Sequence, residues 1–226
     1  MAGPMPASNA APRLYGVAPS ASPASAPSAT AQLSAQVLST ADHRHRPFAV
    51  VDKQTATISV FTGQGRLLAS SSVLLGQAPG DHAVRGAGER TQQGLLSVDD
   101  RTTPAGRFDT EPGRNLSGEA IVWIDYDSAL AIHRVRPGAA QLDRQLRLAS
   151  TDPLAKRVSA GCVVVPEAFF DAVIGPLSGR QRGVVYVLPE DGPWQRLWPA
   201  LADKAESQAR QGAGIGTLPP PWSVNE

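Results

Sequence analysis

The 226-residue sequence contains a single cysteine, few aromatic residues (5%) and no long apolar run. One cysteine excludes an internal disulfide and a cysteine-rich metal site. No apolar stretch approaches the roughly 20 residues of a membrane-spanning helix. The charges nearly cancel, to a formal net charge of +1, and no basic run favours a nucleic-acid partner. The composition therefore indicates one domain with a good-sized core and polar tails.

The four histidines lack the spacing of metal ligands. His43 and His45 flank Arg44 near a domain edge, where we expect both to be solvated. His82 stands in a Gly-rich, polar stretch, and His133 ends an apolar run. We expect no metal ion and no organic cofactor.

The two ends of the chain differ in composition from its middle. Residues 1–30 are rich in Ala, Pro and Ser, which predicts a disordered leader. They lack the charged and apolar regions of an intact secretory signal, so the protein is either cytoplasmic or has lost its signal. Residues 31–45 are predicted as a short helix and linker, 192–211 as a peripheral helix, and 212–226 as a flexible tail.

Residues 46–191 are predicted to form one domain that is mainly β with a few helices. Alternating and β-branched runs predict strands at 48–51, 57–61, 66–75, 121–126, 129–135 and 184–188. Residues 76–100 are predicted as a long loop. Residues 136–157 are polar and predict either a flap over a site or an ordinary surface excursion, with a short helix at 140–148.

The lone cysteine lies in a turn of small residues. Ser159, Ala160 and Gly161 precede Cys162, and an apolar run leads from it to Pro166, a residue that suits a first helical position. A helix with Phe169, Phe170, Val173 and Ile174 on its apolar face is predicted to follow, ending at Gly175-Pro176. This pattern predicts a strand-to-helix turn that carries the cysteine.

Cys162 together with His133 is the minimum set for acyl transfer by a thiolate. A neighbouring imidazole or a helix N-terminus can lower the pKa of a thiol, and the amides of Gly161 and Cys162 are candidate oxyanion donors. The competing interpretation is that a lone cysteine in an apolar run is a small buried hydrophobic residue. Spacing alone leaves both interpretations open.

Several motifs in order resemble the L,D-transpeptidase (YkuD-like) catalytic domain. Val50-Val51-Asp52-Lys53 resembles its opening strand, and Thr103-Pro104-Ala105-Gly106-Arg107-Phe108 its Thr-Pro-x-Gly-x-Phe element. His133, Ser159, Gly161, Cys162 and Val163 match the catalytic motif. The resemblance covers about 140 residues of this chain and implies a β-sandwich or barrel.

The resemblance also implies a function. Cys162 would be the nucleophile, His133 the base and Ser159 a support of the motif, with the Gly161 and Cys162 amides holding the oxyanion. The substrates would be peptidoglycan stem peptides, processed through a thioacyl-enzyme by transpeptidation or carboxypeptidase-type hydrolysis. This places the protein in cell wall biogenesis, in the periplasm or cell envelope, with β-lactams such as carbapenems as possible acylating ligands.

Arginines are the candidate substrate-binding residues, because a guanidinium binds a carboxylate with two parallel hydrogen bonds. Arg144, Arg147 and Arg157 are the candidates for stem-peptide carboxylates. A solvated surface position is the favoured interpretation for Arg144 and Arg147. Trp123 and Tyr126 are expected in the core.

Three departures from the family motif favour alternatives to an active acyltransferase. Ala160 stands at the motif histidine, Val164 at the motif Asn or Arg, and the gap from His133 to Ser159 is longer than usual. The chief alternative is a catalytically degenerate homologue that binds cell-wall peptides or a partner protein. A binding or scaffold protein with a buried Cys162, and a cytoplasmic cysteine hydrolase, are the others.

Overall fold

The computed structural model describes residues 26–178, 181–204 and 207. Two sheets pack face to face around one apolar core, which confirms the predicted class, mainly β with a few helices. Buried valines and isoleucines from both sheets fill the space between them, as in a β-sandwich. Phe170 and Ile174, on the helix that follows the cysteine segment, close one side of this core.

The first sheet has five strands in the order β3-β2-β1-β11-β5. β1, β2 and β3, which match the predicted strands 48–51, 57–61 and 66–75, form an antiparallel meander, and β11 pairs parallel with β1. Every residue of β1 and β11 is buried, because these strands have neighbours on both sides and packing on both faces. The strands are β1 (Phe48–Asp52), β2 (Thr57–Phe61), β3 (Leu67–Ser72), β5 (Gly106–Asp109) and β11 (Val184–Val187).

The second sheet has four strands in the order β10-β8-β7-β6 and carries the cysteine segment at its edge. β10 pairs parallel with β8, and the remaining pairs are antiparallel. A further parallel pair, β4 with β9, lies beside it. The strands of this sheet are β6 (Glu111–Arg114), β7 (Ala120–Asp125), β8 (Leu130–Arg134) and β10 (Val163–Val165). The separate pair consists of β4 (Leu75–Gly76) and β9 (Arg157–Ser159).

Helix α1 (Ala29–Thr40) covers the outer face of the five-stranded sheet. Leu33 and Val37 are fully buried in a second apolar cluster with Phe48, Tyr186 and residues near the C-terminal end of the described chain. The helix begins two residues before the predicted start, because the Ser28 hydroxyl accepts from the Ala31 amide as an N-cap. The covering helix buries the outer face of the central strands β1 and β11.

His43, which we expected to be solvated, is buried beneath the end of α1. Its Nδ1 lies 3.3 Å from the carbonyl oxygen of Val37, and its Nε2 lies 2.9 Å from that of Gly63. The expectation was wrong because the α1 linker folds back over the β2–β3 turn. His45 is exposed, as expected.

The predicted loop 76–100 contains more regular structure than its composition suggested. Helix α2 (Ala87–Gln92) and a 3-10 turn (Val98–Asp100) interrupt it, and β4 opens it. Gly88 packs so closely on the carbonyl of Asp127 that a Cβ would lie 2.1 Å from that oxygen. Tertiary packing therefore stabilises a helix whose own sequence has no apolar periodicity.

The helix after β10 runs past the predicted stop. It consists of α4 (Glu167–Phe169), a π-helical turn (Phe170–Ile174) and α5 (Gly175–Ser178), so Gly175-Pro176 lies inside it. The φ angle of proline is compatible with a helix, and the π turn just before it marks the local disruption.

The predicted peripheral helix is also divided. A 3-10 turn (Trp194–Arg196) comes first, and helical structure starts only at Pro199, which lacks the N–H that a continuous helix would need. The rest of that helix beyond 204, except residue 207, the predicted tail and most of the predicted leader lie outside the described residues. Within the described ranges, none of the helices has the length and apolarity to cross a bilayer.

Candidate active site

The candidate site lies on the face of the four-stranded sheet that points away from the core. Alternation along β8 sends Leu130 and Ile132 into the core and leaves Ala131 and His133 on the outer face. In β10, Val163 and Val165 face the core, so Cys162 just before it and Val164 within it share the outer face with His133. The predicted pair therefore lies on one surface.

The strand register brings Cys162 and His133 close together. β10 pairs with β8 so that Val164 lies opposite His133 and Val163 opposite Ile132. Continuing this register puts Cys162 beside Ala131, one diagonal step from His133. Diagonal neighbours on a sheet face lie roughly 7–8 Å apart at Cα, within reach of long side chains. Both side chains line the same cavity.

A network of short hydrogen bonds fixes the turn between β9 and β10. The Ser159 hydroxyl donates to the carbonyl oxygen of Cys162 at 2.7 Å and accepts from the amide of Gly161 at 3.1 Å. Gly161 has a φ of +129°, which favours glycine, and a Cβ there would lie 2.8 Å from the carbonyl oxygen of Thr102. These contacts explain why small residues precede the cysteine.

Thr103, which we had not picked out as a site residue, supports this turn from behind. Its hydroxyl donates to the carbonyl oxygen of Gly161 at 2.8 Å and accepts from the amide of Gly76 at 2.9 Å, and the residue is fully buried. One side chain thus joins the Thr-Pro-x-Gly-x-Phe element to the cysteine turn. Its place at the start of that element was the signal available in the sequence.

His133 is held in one orientation by the main chain. Its Nδ1 lies 2.8 Å from the carbonyl oxygen of Arg134, so Nδ1 carries the proton and Nε2 keeps a lone pair. The pKa of His133 is lowered to about 4, chiefly by burial and also by the charges of Arg136 and Arg144, against opposing effects of the Arg134 carbonyl and Glu119. The imidazole is therefore neutral at pH 7.

Cys162 lines the cavity and is half-buried. Its Sγ lies 3.5 Å from the carbonyl oxygen of Ala129, to which the thiol donates. Burial raises the pKa of Cys162 above its ordinary value, although a backbone hydrogen bond from Ala131 and the charge of Arg136 lower it. In this state the pair is a thiol and a neutral imidazole.

The cavity has a volume of about 770 Å³ and an aromatic wall. Trp123 and Tyr126 form it, with ring centroids 5.0 Å apart in an edge-to-face arrangement. The expectation that both lie in the core was wrong, because Trp123 alternates onto the same face as His133, and Tyr126, in the β7–β8 turn, is 72% exposed. The period of β7 was the signal that could have found Trp123.

The predicted flap forms another wall of the cavity. Its helix α3 (Gln141–Ala149) is anchored by Leu148, which joins Leu74, Val135 and Val164 in a small apolar cluster. Val164 thus contributes to the packing beneath α3.

Of the three candidate arginines, only Arg144 lines the cavity. Arg144, on α3, lines the cavity, whereas Arg147 donates to Asp143 at 2.8 Å and to the Ala155 carbonyl at 3.0 Å, outside the lining. Arg157 is buried away from the cavity, where it pairs with Glu190. The sequence reasoning missed the other arginines of the lining, Arg101, Arg114 and Arg136.

The side chains that could bind a metal ion do not cluster in the described residues. Within the described part of the chain, histidine, cysteine, aspartate and glutamate form no group of three or more that could hold a metal ion. The polar side chains that line the cavity carry hydroxyl, imidazole, guanidinium and carboxamide groups.

Neither a family model nor a curated protein matches the chain. Among solved structures it is similar to the helical cell shape determining protein Pgp2 from Campylobacter jejuni, at 14% identity and a TM-score of 0.43, over 66% of this chain and 49% of that chain. It is similar to an L,D-transpeptidase from Mycobacterium smegmatis, at 15% identity and a TM-score of 0.35, over 63% and 58%.

A third similar structure is the catalytic domain of the Enterococcus faecium L,D-transpeptidase, at 18% identity and a TM-score of 0.33, over 64% of this chain and 98% of that domain. The chain spans about half the length of the first solved chains that it matches. At these scores the likeness assigns no function, which has to be inferred from the Cys162 cavity itself.

Proposed function

We propose that this protein is a cell-envelope cysteine acyltransferase that acts on peptidoglycan stem peptides through a thioacyl-enzyme. The observation that carries the proposal is the position of Cys162 and His133 on one face of two paired strands, where both line one cavity. The sequence motifs around both residues, which resemble the L,D-transpeptidase catalytic domain, supply the substrate class.

In the proposed reaction, the thiol turns from the Ala129 carbonyl and gives its proton to Nε2 of His133. The sulfur attacks the peptide carbonyl carbon, and a tetrahedral oxyanion forms. We assign the Cys162 amide as its donor, because the Gly161 amide already donates to Ser159. Collapse breaks the C–N bond, and His133 returns its proton to the leaving amine. A thioester remains on Cys162.

The second half of the reaction regenerates the enzyme. An amine of another stem, or water, attacks the thioester carbonyl and gives a proton to His133. The C–S bond breaks, and the proton returns to sulfur. An amine acceptor gives a cross-link and water gives carboxypeptidase-type hydrolysis, so one acyl-enzyme serves both outcomes.

A second candidate function, peptide binding without turnover, is favoured by two features of the site. Val164 puts an apolar side chain opposite His133, where the motif has a polar residue. Burial also raises the pKa of Cys162 and lowers that of His133, so each group is shifted toward its neutral form. A homologue that binds cell-wall peptides would keep the cavity and lack the acylation.

Incubation with a carbapenem, followed by intact-mass spectrometry, separates the two functions. We expect one adduct of the mass of the drug, its absence in Cys162→Ala, and a rate reduced about 10²–10⁴-fold in His133→Ala. The urea-unfolded protein is the control for ordinary thiol chemistry and should react slowly. A folded wild-type protein with a reduced thiol and no adduct would leave peptide binding as the function.

Release of D-alanine from a purified stem tetrapeptide then tests the substrate. We expect release by the wild type and none by Cys162→Ala, with a cross-linked product when a second stem is supplied. If the carbapenem forms an adduct but no stem peptide reacts, the acyltransferase activity is supported and the proposed substrate class is contradicted.

A further inference from the structure

The cavity beside Cys162 has a strong excess of positive charge. Four arginines line it, and within the described residues no Asp or Glu does. They come from four different parts of the chain: Arg101 before β5, Arg114 at the end of β6, Arg136 after β8 and Arg144 on α3. A concave surface lined by one sign of charge concentrates ligands of the opposite sign.

The four guanidinium groups differ in how far other residues already engage them. Arg101 donates to Gln77 and to the carbonyl of Leu96, so it is part of the framework. Arg114 donates to the carbonyl of Gly118 from one nitrogen, which leaves its other N–H groups for a ligand.

The two arginines that act on His133 have the most capacity left. Arg136 lies 3.5 Å from Glu119, a carboxylate that also accepts from Asn115. Arg144 forms no side-chain hydrogen bond or ion pair with any residue of 26–178, 181–204 and 207. One carboxylate therefore faces two guanidinium groups around the imidazole, and a net positive charge remains.

We propose that Arg114, Arg136 and Arg144 form a subsite for a carboxylate of the substrate, and that its occupation makes His133 a stronger proton acceptor. The inference rests on the proposed function for the meaning of the cavity and adds the group that is recognised. The ligand is a peptide-like molecule with a free carboxylate that contacts the arginines, while its apolar part packs on Trp123 and Tyr126.

The second half of the proposal follows from the charges around His133. Arg136 and Arg144 disfavour the imidazolium, and Glu119 favours it. A bound carboxylate adds a negative charge to this set and offsets the arginines, so it stabilises the imidazolium that forms when the thiol is deprotonated. By linkage, the carboxylate binds more tightly when His133 is protonated.

The net gain for proton transfer from Cys162 to His133 should come chiefly from neutralising Arg144. Arg136 also favours the thiolate of Cys162, so a ligand that neutralises Arg136 helps His133 and hinders Cys162. Arg144 acts on His133 and is not among the charges that shift Cys162, so neutralising it helps the base without this cost. Helix α3, which lies between His133 and Ser159 in the sequence, thus carries the arginine that acts on the imidazole and not on the thiol.

The test is an NMR titration of the His133 ring in the full chain with N-acetyl-D-alanine, and with N-acetyl-D-alaninamide as the neutral control. We expect the carboxylate to bind about tenfold more tightly than the amide and to raise the pKa of His133. We also expect Arg144→Gln to raise this pKa without ligand and to reduce the preference. Arg66→Gln, a change at an exposed arginine just before β3 of the other sheet, should alter neither quantity.

Equal binding of the two probes would overturn the subsite, as would a carboxylate preference that is unchanged in Arg144→Gln. A carboxylate preference without a change in the His133 pKa would overturn the coupling. The carbapenem experiment is independent of both, since it reads the chemistry of Cys162. If the carbapenem forms an adduct but the carboxylate is not preferred, only the carboxylate subsite is overturned. If the carboxylate is preferred but no adduct forms, the subsite is supported and the acyltransferase function is contradicted.

Discussion

Gly161 sets the direction from which Cys162 enters the cavity. At a φ of +129°, with Thr102 close behind it, the position has neither the backbone region nor the space for a larger residue. The Ser159 and Thr103 hydrogen bonds hold the same turn from both sides. Three different kinds of constraint therefore fix the position of one thiol.

We expect Gly161→Ala to lower the free energy of unfolding by about 1–3 kcal/mol and to reduce the rate of acylation by a carbapenem. The matched control is Gly94→Ala, at a φ of +71° with no atom within 4 Å of the added Cβ. It should cost about 1 kcal/mol and leave acylation unchanged. Urea unfolding and intact-mass kinetics measure the two effects. Equal acylation rates in both variants would show that the turn does not position the thiol.

His133 predicts a pH dependence of stability. Its pKa is lowered from 6.5 to about 4, first by burial, so the unfolded chain binds more protons than the folded protein between these values. Stability is therefore fully present above pH 6.5 and decreases as the pH falls toward 4. We expect the unfolding free energy of His133→Asn to decline less over this window. Urea unfolding from pH 4 to 7 tests this, and parallel curves for the two proteins would contradict the low pKa.

At the scale of elements, a buried ionic network joins the five-stranded sheet to the Thr103 segment and to β9. Lys53, after β1, has a fully buried side chain, and its Nζ donates to Asp81 and Gly80 at 2.6 Å and to Thr103 at 3.1 Å. Glu190, after β11, lies 3.7 Å from Nζ and also pairs with Arg157. The segment that carries Thr103 is thus tied to the central strands of the five-stranded sheet.

Removal of the central cation should leave Asp81 without a compensating charge, whereas Glu190 keeps Arg157. We expect Lys53→Met to lower the free energy of unfolding by roughly 3–5 kcal/mol. Arg46→Met, which breaks an exposed pair with Asp109, should cost about 0–1 kcal/mol. Urea unfolding compares the two. Similar losses in both variants would mean that the buried network contributes no more than a surface pair.

At the scale of the whole molecule, α1 completes the second apolar cluster, and its loss should matter more than the loss of what precedes it. A chain that begins at residue 42 loses Leu33 and Val37, both fully buried. We expect it to be less stable by about 4 kcal/mol or more. Removal of residues 1–25, whose composition cannot form a core, should leave the unfolding free energy unchanged.

Thermal and urea unfolding of the two truncated chains and the full chain test this. An unchanged midpoint after removal of residues 1–41 would show that α1 is an appendage. A loss of stability after removal of residues 1–25 would contradict the composition-based interpretation of the leader. Carbapenem acylation of each folded chain shows whether α1 affects the site, which lies on the other sheet.

Local pattern determined much of the fold and the central pair. Runs of β-branched residues predicted the β1–β3 meander, β7, β8 and β11, because alternation and burial are properties of short segments. The motif order predicted that Cys162 and His133 belong together. Small residues before the cysteine predicted a tight turn. These conclusions needed no long-range contact.

Only the tertiary structure decided which residues surround that pair. Arg136 and Arg144 approach His133 from different elements, and Arg147 and Arg157 turn to Asp143 and Glu190. Sequence spacing does not encode which side of a helix faces a cavity or where a flap folds. The charge around the imidazole, and hence its pKa, depends on distances that exist only after the sheets and α3 have packed together.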